Sequence, residues 1–451
     1  MIPATGSLSS LHSHWQQFRS NQFARNISSM GLAQLIVRIS RLLATIFLSR
    51  LLLPNDFGTA AIVLTVYEFV ALFTRNGISA KVVRASETDV ETVAMTAWRM
   101  TWIICSSLVV IQCLLAYPIA IFYNDQKLFF PIVAMAFVYL ITPMSNIQAA
   151  FQQREGKLGR IAFAAAAQVV VDNLLTALFA VLGLGLWAII LPKILVAPIW
   201  GVAVRHGHAW RPKSIVGKSR FEGWREIARF SKSVLGNELL STIQGNVDNL
   251  FVGFFLGLHA LGMYYFAFNA GLGLTLGLIT AAGVAVYPYL CEVRQDTEKL
   301  AERFYKTRRK ICLGIVILIL TQTILAPIYV PIIFGSKWTE TIPVLCFICL
   351  SALARPFASH CSQLLKAVGK PEIELRWQLF NTVALVIALI ISSQISVLAV
   401  AFSVFFVQTT VLSLFAYLVP RHILKKPHVI VREGEKLIYC VTDGAVERTS
   451  A

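Results

Sequence analysis

Apolar residues in this chain fall into long blocks, separated by polar breaks that alternate in length and charge. A helix needs about 20 mostly apolar residues to cross a hydrocarbon core of roughly 30 Å. Blocks of that kind lie near 29–53, 57–74, 98–122, 128–150, 161–182, 184–204, 233–257, 260–290, 311–334, 340–365, 375–394 and 396–419. The pattern therefore predicts twelve spans. Breaks after odd-numbered spans are short, as at Pro54-Asn55-Asp56, Gly257-Leu258-His259 and Ser336-Lys337-Trp338, whereas those after even-numbered spans are longer and charged.

Composition agrees with the pattern. Of 451 residues, 57% are hydrophobic and only 14% are charged, against about 25% charged in soluble domains. That excludes a soluble enzyme. The net charge of +17 does not indicate a nucleic-acid partner, because the apolar residues come in membrane-length blocks. Sorting the 40 Lys and Arg by loop puts 33 in the two tails and the loops after even spans. Only Arg50, Lys127 and Lys337 fall on the opposite side, and Arg38, Arg41, Lys193 and Arg355 lie within spans. Short loops rich in Lys and Arg face the cytoplasm, so the expectation is a multi-pass protein with both termini cytoplasmic. Residues 1–25 are polar, and no cleavable signal peptide is expected. The eight cysteines map to spans or to the cytoplasmic side, so no disulfide is expected. Cys346 and Cys349 have metal-ligand spacing but sit in an apolar helix without a partner pair. No metal or other cofactor is expected.

Gly217-Lys218-Ser219 lacks the earlier glycine of a phosphate-binding loop, since position 212 is Pro. No long loop on the far side is available to build catalysis, so the chain reads as a non-enzyme. The longest loop, 205–230, divides it into residues 26–204 and 231–420, with tails 1–25 and 421–451. The two halves repeat. Ile46 to Gly58 overlays Leu250 to Gly262, Pro131 matches Pro343, Pro143 matches Pro356, and Gly156-Lys157 matches Gly369-Lys370. Six spans per half keep the topology parallel, and repeat transporters bind substrate between repeats. The expected architecture is all-α, with two pseudo-symmetric six-helix lobes.

Ionisable groups within spans cost several kcal/mol at the bilayer centre, so they face a cavity or a partner. Here they are Arg38, Arg41, Glu68, Asp172, Lys193, Glu238, Asp248 and Arg355. Gln34, Arg38, Arg41, Thr45 and Ser49 share one helical face, as do Asn237, Ser241, Gln244 and Asp248. Two such stripes would line a polar cleft. Adjacent arginines on one face repel, and a shared anion such as phosphate relieves them. The candidate cavity residues are Gln34, Arg38, Arg41, Thr45, Glu68, Gln244, Asp248 and Arg355. Glu68, Asp172 and Asp248 are candidates for ion or proton coupling, with mutual pairing of charges as the alternative. The overlong span 260–290 holds Gly262, Gly271, Gly273, Gly277 and Gly283, which suits either close packing or bending.

The segment Ser49-Arg-Leu-Leu-Leu-Pro-Asn-Asp-Phe-Gly-Thr-Ala-Ala61, followed by Asn76-Gly-Ile-Ser-Ala-Lys-Val-Val-Arg84, resembles the opening signature of Wzx-type polysaccharide flippases. These belong to the multidrug/oligosaccharidyl-lipid/polysaccharide superfamily. Ala150-Phe-Gln-Gln-Arg-Glu-Gly-Lys157 is a second, shorter resemblance. The resemblance implies a V-shaped pair of bundles in the bacterial inner membrane, with spans 1, 2, 7 and 8 around a central cavity. It implies passage of an undecaprenyl-diphosphate-linked oligosaccharide to the periplasmic leaflet for exopolysaccharide, capsule or O-antigen synthesis, with polysaccharide polymerase machinery as a further partner. Arg38 and Arg41 would hold the diphosphate or acidic sugars, and Arg75, Lys81 and Arg84 would attract the diphosphate at the cytoplasmic mouth. The alternative within the superfamily is an ion-coupled multidrug or small-metabolite exporter.

Overall fold

The computed structural model describes residues 22–75, 77–212, 223–424, 428–430, 438–442 and 445–449. Long helices dominate: α1 (Gln22–Leu51), α2 (Pro54–Ala71), α3 (Ile78–Arg84), α4 (Val90–Phe122), α5 (Phe129–Ala136), α6 (Asn146–Arg154), α7 (Leu158–Val181) and α8 (Trp187–Gly207) come first. Then follow α9 (Trp224–Cys291), α10 (Thr297–Tyr329), α11 (Ile342–Ser351), α12 (Arg355–Ala367), α13 (Pro371–Ser392) and α14 (Val397–Ile423). Among the described residues, ten segments are long and apolar enough to cross a membrane. Of the twelve expected spans, the first, on α1, is not among these ten, and two share α9, which breaks sharply at Gly257 with φ 83° and ψ 174°. Glycine meets that conformation without a Cβ clash, and the break falls where the short Gly257-Leu258-His259 interruption predicts one. Among the described residues of α9, Gly257 is the non-helical position. A Cβ at Gly273 would meet nothing within 4 Å, so that glycine is not a close-packing point.

The described chain divides into two compact units. The first comprises everything to Leu274 together with Ile324–Ile348 and Val386–Ser403, and the second the remainder. In the first, α1 packs along α7 and α7 along α8. Ile78, Val82, Ala94, Ala97 and Ile147 form a fully buried cluster there, above which Arg154 reaches the carbonyls of Val82 at 3.5 Å, Val83 at 3.4 Å and Ala85. These carbonyls lie at the C-terminal end of α3, where the chain leaves the helix and backbone donors run short; that of Val82 also accepts from the Ala85 amide at 3.3 Å. The Gln-Arg motif of 153–154 thus supplies a helix cap. In the second unit, Leu290, Leu300, Phe304, Cys361, Leu364 and Leu365 build the core, and Arg308 donates to the Ala416 carbonyl at 3.1 Å.

One contact carries the repeat into three dimensions. A Cβ on Gly58 would lie 1.9 Å from the carbonyl oxygen of Leu258, and one on Gly262 would lie 1.8 Å from that of Pro54. Two helix beginnings cross here backbone against backbone. His259 Nδ1 lies 3.2 Å from Asn55 Oδ1, a pair 204 residues apart, the same offset that aligns the two halves.

The C-terminal segment, which the helical pattern leaves without an element, forms a small antiparallel sheet. Its strands are β1 (His428–Ile430), β2 (Ile438–Thr442) and β3 (Ala445–Thr449), in order β1-β2-β3. Thr442 pairs with Ala445, so only Asp443-Gly444 separates the last two strands. An Asp-Gly pair between β-prone runs is a strong hairpin signal, and it is legible in the sequence.

Replacing Gly58 or Gly262 by Ala is expected to destabilise the fold by roughly 1–3 kcal/mol through overpacking, read as a lower thermal midpoint in detergent. Gly273→Ala, with open space around it, should leave that midpoint within error of the parent.

Candidate functional site

The first unit encloses a cavity of about 780 Å³, within the size range of small-molecule sites. Six helices contribute to its wall, α5 only through Met135. From α1 come Arg41 and Thr45, one turn apart, and from α2 come Thr65, Tyr67 and Glu68, with Arg75 just beyond. Helix α7 supplies Gln168, Asp172, Asn173 and Thr176, α8 supplies Lys193, and α9 supplies Asn246, Asn249, Tyr265 and Asn269. Most of these are uncharged polar groups.

Several internal bonds hold the wall in place. The Tyr139 hydroxyl lies 2.7 Å from Gln112 Oε1 and 3.0 Å from the Tyr67 carbonyl. Gln112 donates its amide to the Ile132 carbonyl at 2.8 Å, and the Tyr67 and Tyr139 rings stack at 5.3 Å. This buried network fixes the turn of α2 that presents Glu68. On the opposite wall, Asn173 donates to the Ser40 hydroxyl at 2.9 Å, tying α7 to α1.

The charges are largely paired. Arg75 sits 2.6 Å from Glu68 and 3.9 Å from Glu238, and Lys193 sits 3.0 Å from Asp172. Asp172 Oδ2 makes that pair, while its Oδ1 is buried with no hydrogen-bond partner among the described residues. Arg41 is the third cation of the wall. It lies on the exposed face of α1 and has no ion-pair partner among the described residues. Three cations against two carboxylates leave the wall with one uncompensated positive charge, at Arg41.

Of the residues singled out from the sequence, Arg41, Thr45, Glu68, Arg75 and Asp172 meet at this cavity. Arg38 is half-buried on α1 and is not among the described lining residues. The side chain of Gln34 lies outside the described residues. Gln244 is half-buried and off the wall. Asp248 is buried, where its Oδ2 accepts from the Tyr264 hydroxyl at 2.6 Å and its Oδ1 from the Asn249 amide at 2.9 Å. Arg355 opens α12 in the second unit. Lys81 pairs with Glu226, and Arg84 is exposed at the end of α3. The wall face of α9 is that of Asn246 and Asn249, turned by one to two residues from the stripe ending at Asp248. A carboxylate in an apolar slab seeks the nearest donor, here Tyr264, whereas a neutral amide can line a cavity at lower cost. Lys193 and the asparagines are wall residues that the stripe reading left out. The Asn246–Asn249 spacing of three was the available signal.

Residues 47–343 match the family described as "Polysaccharide biosynthesis protein". The chain is 24% identical over 366 residues to an "Uncharacterized membrane protein in cps region" of Klebsiella pneumoniae, covering 79% of this chain and 73% of that one. It is 26% identical over 195 residues to "Lipopolysaccharide biosynthesis protein WzxC" of Escherichia coli (strain K12), covering 43% of this chain and 40% of that one. Its fold is similar to that of a structure described as "Lipid II flippase MurJ, inward closed conformation", with a TM-score of 0.71 at 12% identity over 86% of each chain.

Removing one partner of the Lys193–Asp172 pair strands a charge beside the buried Asp172 oxygen. Lys193→Met alone is expected to cost about 1–3 kcal/mol, seen as reduced folded yield and a lower thermal midpoint. The double replacement Asp172→Asn with Lys193→Met should recover most of that loss, because no unpaired charge remains.

Proposed function

This chain belongs to the polysaccharide biosynthesis protein family, and we propose that within it the chain flips a lipid-linked oligosaccharide across the bacterial inner membrane by alternating access. The undecaprenyl-diphosphate part of the substrate supplies the anion, and Arg41 is its first ligand. The observation that carries this is the charge balance of the cavity. Arg75 and Lys193 are each answered by a carboxylate at 2.6 Å and 3.0 Å, and Arg41 is not. A guanidinium offers two parallel donors to a phosphate, a geometry that an ammonium lacks.

The cavity's size and polarity fit a headgroup. About 780 Å³ walled by glutamine, asparagine and threonine side chains accommodates sugar hydroxyls, whose hydrogen bonds such groups satisfy. The polyprenyl tail needs no cavity, because the bilayer already solvates it. In this reading Arg38 tunes the field on Arg41 from the turn below, and Arg75 with Lys81 and Arg84 draws the diphosphate toward the cavity from the cytoplasmic side. Both termini are cytoplasmic in this reading, which the 33-to-3 distribution of basic residues supports. The two sequence halves act as the two moving lobes, and the polymerase that consumes the flipped unit is the downstream partner. Export of cationic drugs is the weaker reading, because a cation site wants an unanswered carboxylate. Both carboxylates of the wall already hold a cation.

Deleting the gene and complementing with Arg41→Gln should leave protein level unchanged, reduce polysaccharide export at least tenfold, and accumulate cytoplasm-facing lipid-diphosphate oligosaccharide. Arg41→Lys should retain part of the activity. Normal export by Arg41→Gln would sink the assignment, and unchanged glycolipid with raised drug sensitivity would favour the exporter.

A further inference from the structure

Only three of the 40 basic residues fall on the side opposite the cytoplasm in the charge pattern, and two of them, Arg50 and Lys337, meet in the first unit. Helix α1 ends at Leu51, so the carbonyls of its last turn have no partner of their own. Lys337 Nζ donates to the carbonyls of Arg50, at 3.1 Å, and of Leu52. The indole of Trp338 donates to the Ser49 carbonyl at 2.8 Å. The arrangement is reciprocal. Arg50 Nε donates at 2.8 Å to the carbonyl of Ile333, and its Nη2 donates to that of Ile332. Those carbonyls close the turn Val330–Phe334, which Gly335 terminates with φ 106°. Each helix end is thus capped by a cation borrowed from the other, the favourable sign for a helix C-terminus.

Behind these polar bonds lies a dry plug. Trp338 is fully buried. Its ring stacks on Phe266 at 3.8 Å and meets Phe57 edge-on at 5.2 Å, and Phe334 meets Phe266 at 5.2 Å. Phe57 also lines the cavity, so the plug is one of its walls. The rim and the plug differ in kind. Arg50 and Lys337 are exposed, so water can replace the carbonyls they hold at little cost. The aromatic rings can part only if something else fills or wets the space.

We propose that Arg50, Lys337 and Trp338 form a reversible latch that seals the cavity from the non-cytoplasmic side. The proposal rests on the transport reading and orientation given above. Opening exchanges five donor–carbonyl bonds for water and separates Trp338 from Phe57. The polar half makes the seal specific to one register, and the aromatic half makes it watertight. The third far-side cation, Lys127, is exposed and takes no part.

The test reads accessibility and needs no knowledge of the substrate, so its outcome is separate from that of an export assay. Thr45, which lines the cavity, is replaced by cysteine in the full-length chain. Labelling by a membrane-impermeant maleimide is measured in right-side-out and inside-out vesicles, over the signal of the chain without that cysteine. The combined Arg50→Ala and Lys337→Ala replacement is expected to raise labelling from right-side-out vesicles at least fivefold. Arg50→Lys with Lys337→Arg, which keeps the donors, should stay within twofold of the parent. Should the alanine pair fail to fold by gel filtration, Trp338→Phe removes the indole donor and part of the buried ring and should still raise labelling at least twofold. Unchanged right-side-out labelling in a folded variant overturns the latch. A gain seen only from inside-out vesicles overturns it too, through the orientation on which it rests.

Discussion

A helix that ends at the edge of an apolar slab leaves carbonyls without partners, and this constraint organises much of the molecule. An unsatisfied carbonyl costs several kcal/mol where water is scarce. The chain answers with donors from distant sequence. Arg154 covers the end of α3, Lys337 and Trp338 cover the end of α1, and Arg50 covers the turn after α10. Each cap does two things at once. It satisfies a backbone group, and it pins one element to another that lies tens to hundreds of residues away. The signature stretch from Ser49 to Gly58 becomes intelligible in these terms. Its residues supply a capped carbonyl, a capping arginine, a proline that starts α2, an Asp56 carboxylate that accepts from the Leu53 amide at 3.1 Å, a ring for the plug and a glycine for the crossing.

The cavity follows a related economy of charge. An ionised side chain is tolerated among membrane helices when it faces a partner or a polar space. Arg75 and Lys193 take carboxylate partners, and the remaining wall is divided between amide or hydroxyl groups and apolar side chains. One positive charge is left over, set among neutral hydrogen-bonding groups. That is a suitable environment for a group carrying both an anion and many hydroxyls. It is a poor one for a hydrophobic cation, which would meet Arg41 with no free carboxylate to offset it.

Much of the scaffold was legible in the residue order. Apolar blocks marked the spans, the break at Gly257 was predicted by a short polar interruption, and the offset of 204 that aligns the halves reappears between His259 and Asn55. The site was legible only in part. Arg41 and Thr45 share one polar helical face in the sequence and line one cavity in the fold, together with Glu68, since helical spacing dictates which residues share a face. Asp248 and Gln244 were read on a face that does not line the cavity, because rotation of a helix about its axis is set by neighbours. The Tyr264 hydroxyl, 16 residues away across the break, drew the carboxylate inward. The C-terminal hairpin is marked only by Asp443-Gly444 between two short β-prone runs, a local signal that the period of membrane helices does not carry.

The sequence by itself determined the class, a many-spanning helical membrane protein, and the positions of most apolar blocks, because solvent sets these locally. Hydrocarbon demands apolar helices of one length, and loop charge is sorted by side. What only the tertiary structure decided is which charges neutralise one another and which are left to work. Three basic residues, Arg50, Lys127 and Lys337, fall on the side opposite the rest in the charge pattern. Folded, two of them cap each other's helix ends beside the cavity. Composition cannot report that, because a hydrogen bond between Arg50 and Ile333 depends on bringing together residues 283 positions apart.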